Sequence, residues 1–419
     1  MKPVYALIDC NNFFVSCERA FQPALHNRPV AVLSGNDGCV ISRSQEVKKL
    51  GMPMGAPLFK IKDFIKQNDV TIFSSNFELY SDMSDRVMSL LKRFADQVEI
   101  YSIDEAFLRL DMVPDPEAYA LEIRKAVWQQ TRIPVSIGLA PSKTLAKAAS
   151  HWAKDHTEHR GVFSFIDKNT REFLQKIPVE EVWGIGRNLK TMLHGKGIFT
   201  AAEFAYANPA WIQKNMGITG LRLAQELQGI PCDREMSVDA KRSIMCTRSF
   251  GRAVTDIAEL RESVAMHAAH AAEKLREEGE ITSSIGVHLR TNRYNNDQKY
   301  SATQYIEIET PTNYTPELSR QALRILDILY KPGFRYWKTG VMCINLLPEN
   351  SCQQSIFEQR DGDKESRLMS AYDHLNAKFG SGAVSYAQTG TKRLWHAKRE
   401  MLSRPFTTDI SQLPVVRAS

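Results

Sequence analysis

At 419 residues the chain exceeds one compact domain and has room for about two to four, with 43% hydrophobic residues to fill their cores. Charged residues make up 24% and the net charge is +6, a mild basic excess compatible with a polyanionic partner. Seven scattered cysteines without a C-x-x-C pair argue against a disulfide framework or a zinc site, the short apolar run before Asp9 does not make a signal peptide, and no stretch of about 18 apolar residues spans a membrane, so a soluble cytoplasmic protein is expected.

Val4 to Cys10 reads as a short strand ending in acid at Asp9. Phe13 to Glu18 continues into a helix that stops before Pro23. Pro29 to Leu33 is an apolar strand, Asn36-Asp37-Gly38 a tight turn, Cys39 to Ser42 a second strand, and Glu46 to Leu50 a helix ending at Gly51. This predicts a hairpin and helix inserted between the first strand and a later acidic one.

Leu79, Tyr80, Met83, Val87, Leu90, Leu91 and Phe94 recur at helical spacing, so Phe77 to Phe94 is expected to be one amphipathic helix. The strand Ile100 to Ile103 then leads into Asp104-Glu105. A helix from about Pro116 to Thr131 and a strand from Pro134 to Leu139 follow, and the alternation predicts an α+β sheet, an element order shared with ordinary ferredoxin-like domains. If the strands bearing Asp9 and Asp104-Glu105 pair, three carboxylates meet and repel unless a cation neutralises them. Hard divalent ions such as Mg²⁺ take such oxygen ligands, which points to two-metal phosphoryl transfer. An isolated acidic pair equally well caps a helix or turns a hairpin.

Lys143 and Lys147, four apart on a helix of small residues, and Lys154 beyond them form a basic stripe suited to phosphate or to a solvated face. Val182 to Leu189, with Gly184-Ile185-Gly186 and Arg187, reads as a helix-hairpin-helix whose backbone N–H groups face a DNA phosphate, or as a plain αα-hairpin. A linker from Pro231 to Lys241 precedes a strand–helix–strand–strand–helix–strand pattern in which Arg290, Arg293, Tyr294, Lys299 and Tyr300 mix cations with aromatics, suiting a nucleic-acid backbone or a simple exposed hairpin. After Pro348, Gln353 to Phe357 is either a fortuitous apolar run or a peptide docking motif, Ser366 to Lys378 reads as a helix, and Lys392, Arg393, Lys398 and Arg399 as a basic block.

Asp9-x-x-x-Phe13-Phe14, Tyr101 to Ala106, Ser142-Lys143-x-x-Ala146-Lys147 and Val182 to Gly186 together resemble, in order, the Y-family translesion DNA polymerases. Asn36 to Ile41, Ser74 to Met83 and Cys246-x-Arg248-Ser249-Phe250-Gly251 narrow the resemblance to the UmuC-like catalytic subunits of bacterial DNA polymerase V. The resemblance implies an α+β multidomain right hand: a palm at 1–22 and 80–170, small fingers at 23–79, a helical thumb at 171–235, an α+β little finger at 242–347 and a partly helical tail at 348–419. It implies error-prone insertion of deoxynucleoside triphosphates on primer–template DNA opposite damaged bases, as part of SOS mutagenesis.

Under the same resemblance Asp9, Asp104 and Glu105 are catalytic and, with the Cys10 carbonyl, hold two Mg²⁺ ions. Phe14 is the steric gate against ribonucleotides, standing where relatives often have Tyr. Phe13, Phe14, Ser42, Lys48 and Lys154 bind nucleotide, with Gln45 at a fingers position where many relatives carry Tyr. Lys143, Lys147, Gly184, Gly186, Arg187, Arg290 and Arg293 contact DNA. Gln353, Ile356 and Phe357 dock on a sliding clamp, with Gln354 replacing the usual Leu, and the tail engages a processed UmuD-type dimer and a RecA-type recombinase filament. Two readings from other classes are a non-catalytic DNA-binding scaffold and a template-independent phosphohydrolase using the same acids.

Overall fold

A computed structural model describes residues 3–232, 241–351, 361–391 and 395–412. The chain forms two units, Met1–Glu235 together with Glu400–Ser419, and Met236–Arg399.

In the first unit, β1 (Tyr5–Cys10) leads into α1 (Phe13–Phe21), followed by β2 (Val30–Leu33), β3 (Val40–Arg43), α2 (Gln45–Lys49), α3 (Lys62–Gln67) and β4 (Thr71–Phe73). The three strands β3-β2-β4 make a small sheet over their own core of Ala31, Leu33, Val40, Val47, Met52 and Ile61. The turn between β2 and β3 places Asn36 and Asp37 at φ 64° and 47°, conformations that short polar side chains tolerate best among non-glycine residues.

The chain continues through α4 (Phe77–Leu91), β5 (Val98–Ile100), β6 (Glu105–Arg109), α5 (Pro116–Thr131), β7 (Val135–Ala140), α6 (Lys143–Asp155) and β8 (Val162–Ser164). The central sheet has the order β5-β6-β1-β7-β8. Period-two alternation sends Ala6, Ile8, Ala106, Leu108, Val135 and Ile137 into the core beneath α4 and α5. Tyr5, Leu7, Phe107 and Ala140 pack on the opposite side with Leu145, Ala146 and Ala149 of α6.

The strand expected at Ile100–Ile103 ends at Ile100. Tyr101 and Ser102 both donate their backbone N–H to the Glu105 carbonyl, at 3.0 and 3.1 Å, so the acidic pair closes the β5–β6 hairpin instead of ending a strand.

Among the described residues the first unit continues with α7 (Thr170–Leu174), α8 (Arg187–Gly195), α9 (Ala201–Ala205) and α10 (Pro209–Leu227). Gly184 takes φ 87° and Gly186 caps α8, as a glycine hairpin requires. Only a 3₁₀ turn, Val179–Glu181, stands before that hairpin, so the helix expected on its N-terminal side is a single turn.

The second unit runs β9 (Ser243–Val254), α11 (Ile257–Glu277), β10 (Glu280–Thr291), β11 (Ser301–Thr312), α12 (Thr315–Leu329), β12 (Tyr336–Pro348) and α13 (Gly362–Phe379). Its antiparallel sheet has the order β11-β10-β12-β9, with α11 and α12 sharing its core. The expected strand–helix–strand–strand–helix–strand order is therefore present. Gln353, Ile356, Phe357, Lys392 and Arg393 lie outside the described residues. No helix among the described residues is long and apolar enough to cross a membrane.

The segment expected as one tail from 348 to 419 divides, because its last described residues belong to the first unit. There Ser403 donates to the buried Glu18 carboxylate at 3.0 Å, and Tyr80 donates to the same oxygen at 2.7 Å. Burial pushes Glu18 up from 4.5 to about 7 despite these donors. Between those two values the folded chain holds a proton that the unfolded chain has released, so folding stability falls as pH rises through this window and levels off above it. Glu18→Gln is expected to flatten the dependence by on the order of 3 kcal/mol, read as the difference between mutant and parent in denaturant titrations across the window.

Candidate active site

Antiparallel pairing of β1 with β6 sets Asp9 directly opposite Glu105. The Cys10 N–H donates to the Asp104 carbonyl at 2.9 Å, fixing the acidic turn beside the end of β1. Ser102 Oγ in turn donates to Asp104 Oδ1 at 2.6 Å. Sequence separation of about a hundred residues is thus closed by one register.

Asp9, Glu105 and their strand neighbours Leu7 and Phe107 share the sheet face covered by α6. Lys143, Lys147 and Lys154 fall at i, i+4 and i+11 of that helix, which places them within about 40° of one another. Each meets a different strand: Lys143 Nζ contacts Glu99 at 2.6 Å, Lys147 contacts both Glu105 oxygens at 2.9 Å, and Lys154 contacts Asp9 Oδ2 at 2.5 Å. Glu99 of β5, which the sequence did not single out, completes the row.

These lysines neutralise the acids. Among the described residues no group of three His, Cys, Asp or Glu side chains is gathered tightly enough to hold a metal as it stands. Burial nevertheless raises Asp9 to about 7, with Lys154 opposing the rise and Glu105 adding to it. Burial also raises the Cys10 thiol well above its ordinary value, so its sulfur is no thiolate ligand and only its backbone oxygen suits a hard ion.

Asp9, Thr144, Lys147, His151, Lys154 and Trp183 line a cavity of about 90 Å³. Trp183 Nε1 donates to the Tyr101 hydroxyl at 2.9 Å, and Lys147 Nζ lies 4.8 Å from the Tyr101 ring centre and 5.7 Å from that of Trp183. The loop before Gly184 is thereby tied to the acidic turn. Gly184, Gly186 and Arg187 are exposed beyond it.

On the other side of β1, Asn12 turns the chain with φ 48° and α1 presents Phe13 and Phe14. Phe13 is buried. Phe14 is half-buried and stacks on Tyr80 of α4, with centroids 4.6 Å apart and planes 19° from parallel, and meets Phe77 edge-on at 6.2 Å. Ser42 is buried with its Oγ 3.5 Å from the Val15 N–H, while Lys48 and Gln45 sit exposed on α2.

The impB/mucB/samB family profile matches residues 8–151, and the C-terminal-domain profile of the same family matches residues 241–356. Residues 366–416 match a domain of unknown function, DUF4113. The chain is 42% identical to Protein UmuC of Salmonella typhimurium, covering 98% of this chain and 99% of that one. It belongs to the UmuC family of Y-family DNA polymerases.

The polymerase is also 34% identical to Protein MucB of Escherichia coli, over 98% of this chain and 99% of that one, and 26% identical to DNA polymerase IV 1 of Bacillus subtilis, over 96% and 97%. In fold it matches a Y-family DNA polymerase chimera of Dbh and Dpo4 with a TM-score of 0.65 at 20% identity, covering 82% of this chain and 99% of that one. DinB from Sulfolobus solfataricus aligns with a TM-score of 0.51 at 21% identity, over 81% and 98%. The fold is accordingly a right hand with palm, fingers and thumb, together with a little finger, and the enzyme is an error-prone translesion DNA polymerase.

In the second unit, Arg290 of β10 sits directly across from Lys338 of β12, and Arg248 lies on the neighbouring β9. Burial lowers Lys338, and Arg290 and Arg293 lower it further; burial and Arg293 likewise lower Arg290. Like charges opposed across a sheet destabilise it unless an anion intervenes.

One glycine decides whether α6 can reach the acids. A Cβ on Gly138 of β7 would stand 2.1 Å from the Ala146 carbonyl oxygen and from the Ser150 nitrogen. Gly138→Ala therefore has to push α6 off the sheet. It is expected to cost about 1–3 kcal/mol in a denaturant titration and to lower nucleotide incorporation at least tenfold in a primer-extension assay.

Proposed function

We propose that the polymerase joins deoxynucleotides to a primer end over the Asp9, Asp104 and Glu105 edge of the palm sheet. The register that sets Asp9 opposite Glu105, with Asp104 hydrogen-bonded in place beside them, is the observation that carries this reading.

The donor set fits Mg²⁺, because carboxylates and a backbone carbonyl are hard oxygen ligands and the neighbouring thiol is held protonated. Asp9, Asp104, Glu105 and the Cys10 carbonyl would hold two such ions. When bound, they supply positive charge that favours deprotonation of the attacking hydroxyl and screens the triphosphate. The chain's own residues do the rest. Lys147 and Lys154 line the cavity beside Asp9 and meet a polyphosphate with fixed positive charge, while Ser42 and Lys48 approach it from the fingers. Phe14, backed by Tyr80, closes the space at the sugar as a steric gate.

Asp104→Ala is expected to lower template-directed incorporation by at least a hundredfold while leaving DNA binding intact. Primer extension with matched and omitted template decides between readings. Turnover that needs no template would favour phosphohydrolysis, and incorporation insensitive to Asp104→Ala would mark the acids as structural.

DNA contact is assigned to Lys143, Lys147, Gly184, Gly186 and Arg187 in the first unit and to Arg290 and Arg293 in the second. The like-charged Arg290–Lys338 pair supports the latter, since a phosphate would relieve its repulsion. Arg293→Ala is expected to weaken binding of primer–template alike for every sequence and to reduce the salt slope of log K by about one. Family membership supports tail contacts with a processed UmuD-type dimer and a RecA-type filament, a sliding-clamp contact at Gln353, Ile356 and Phe357, and a cytoplasmic setting in SOS mutagenesis.

A further inference from the structure

The end of the chain crosses the boundary between two cores of the first unit. Glu400 donates its N–H to Asp37 Oδ2 at 3.0 Å, and Met401 exchanges hydrogen bonds with Ser74, whose N–H donates to the Met401 carbonyl at 2.9 Å and whose Oγ accepts from the Met401 N–H at 3.0 Å. The Met401 side chain packs against the fingers core. Five residues on, Phe406 enters the palm core and stacks on Phe21 of α1 at 5.1 Å, with planes 5° apart. Residues 400–406 are therefore a strap anchored on both sides.

Ser403 sits midway along that strap and is 8% exposed. Its hydroxyl accepts from Asn76 Nδ2 at 3.0 Å and donates to Glu18 Oε1 at 3.0 Å. Asn76 is also the cap of α4, accepting from the Leu79 N–H at 3.2 Å. Glu18 stands one turn after Phe14 on α1, and its Oε1 also receives the Tyr80 hydroxyl at 2.7 Å. Tyr80 is the ring against which Phe14 stacks. An unbroken path thus runs from Ser403 through Glu18 and Tyr80 to the face of Phe14, and every group on it except Phe14 is buried.

A buried carboxylate depends on each of its donors, and Glu18 is raised to about 7 even with all of them in place. Loss of the Ser403 hydroxyl leaves Glu18 underbonded and Asn76 without its acceptor. Tyr80 then loses the fixed oxygen that sets its ring plane.

We propose that Ser403, brought in by the C-terminal strap, is a positioning residue for Phe14, and that the strap thereby sets discrimination between deoxyribo- and ribonucleoside triphosphates. The inference rests on the reading of Phe14 as the steric gate. It makes residues 400–406 part of the support behind Phe14, so that changes in the strap are felt at the sugar.

The test uses the full-length chain on one primer–template, comparing kcat and KM for dCTP and CTP opposite the same template base. Ser403→Ala is expected to lower the deoxy-to-ribo ratio of kcat/KM about tenfold, chiefly through the KM for CTP, and Ser403→Thr to keep it within about twofold of the parent. Ser411→Ala, further along the chain end and outside the network, serves as the unchanged control. A Ser403→Ala variant that slows both nucleotides by one factor and preserves the ratio overturns the proposal and leaves Ser403 a merely structural residue. Phe14→Ala in the same assay separates the two readings: if it leaves the ratio alone, the gate assignment fails and this inference with it, and if it collapses the ratio while Ser403→Ala does not, only the inference fails. Should Ser403→Ala melt below the assay temperature, Phe406→Leu slackens the strap with every hydrogen-bonding group retained; a lowered ratio supports the proposal and an unchanged one overturns it.

Discussion

The candidate site of the first unit answers to one electrostatic constraint, the repulsion of carboxylates brought face to face on adjacent strands. Asp9 and Glu105 stand opposite each other, and Glu99 lies one strand further along. Without compensation this edge of the sheet would be pried apart. Helix α6 supplies the compensation by laying Lys143, Lys147 and Lys154 across three strands in succession. A helix delivers three charges at this spacing only if it lies close against the sheet, and the absence of a side chain at Gly138 permits that approach. Small residues on α6, Ala146 and Ala149 among them, meet the sheet at the same contact.

The ion pairs hold the acids together while leaving them chemically unfinished. Asp9 stays well above the usual carboxylate range because burial outweighs the help from Lys154. A site in this condition has more to gain from further positive charge than a fully satisfied salt bridge would. The second unit carries the opposite imbalance, cations set against cations on β10 and β12, and gains from an anion. Each unit thus keeps a local electrostatic imbalance that a bound counter-charge would relieve.

Much of this was legible in the sequence. Apolar periodicity marked α4, which begins at Phe77 as expected and ends at Leu91 rather than Phe94, and α5 spans Pro116–Thr131 as expected. The order of elements in the second unit followed from alternating strands and amphipathic helices. Other features were misread because propensity is blind to pairing. Tyr101 and Ile103 are good strand formers, yet the hairpin requires its turn there, and register with β6 ends β5 at Ile100. The helix before Gly184 shrank to one turn for lack of length. Lys143 and Lys147 read in the sequence as a basic stripe suited to phosphate or to a solvated face, and the fold adds that they pair with Glu99 and Glu105.

The sequence by itself determined the family and the inventory of chemistry: which acids, which lysines, and an aromatic pair beginning α1, all recognisable because their types and order are distinctive. Only the tertiary structure decided who meets whom. The pairing of Asp9 with Glu105, the matching of three lysines to three strands, and the meeting of Ser403 with Glu18, 385 positions apart, all arise from strand register and chain return. No local pattern encodes them, because hydrogen bonds and ion pairs between distant segments depend on where packing places their backbones, and a linear chain carries that information only collectively.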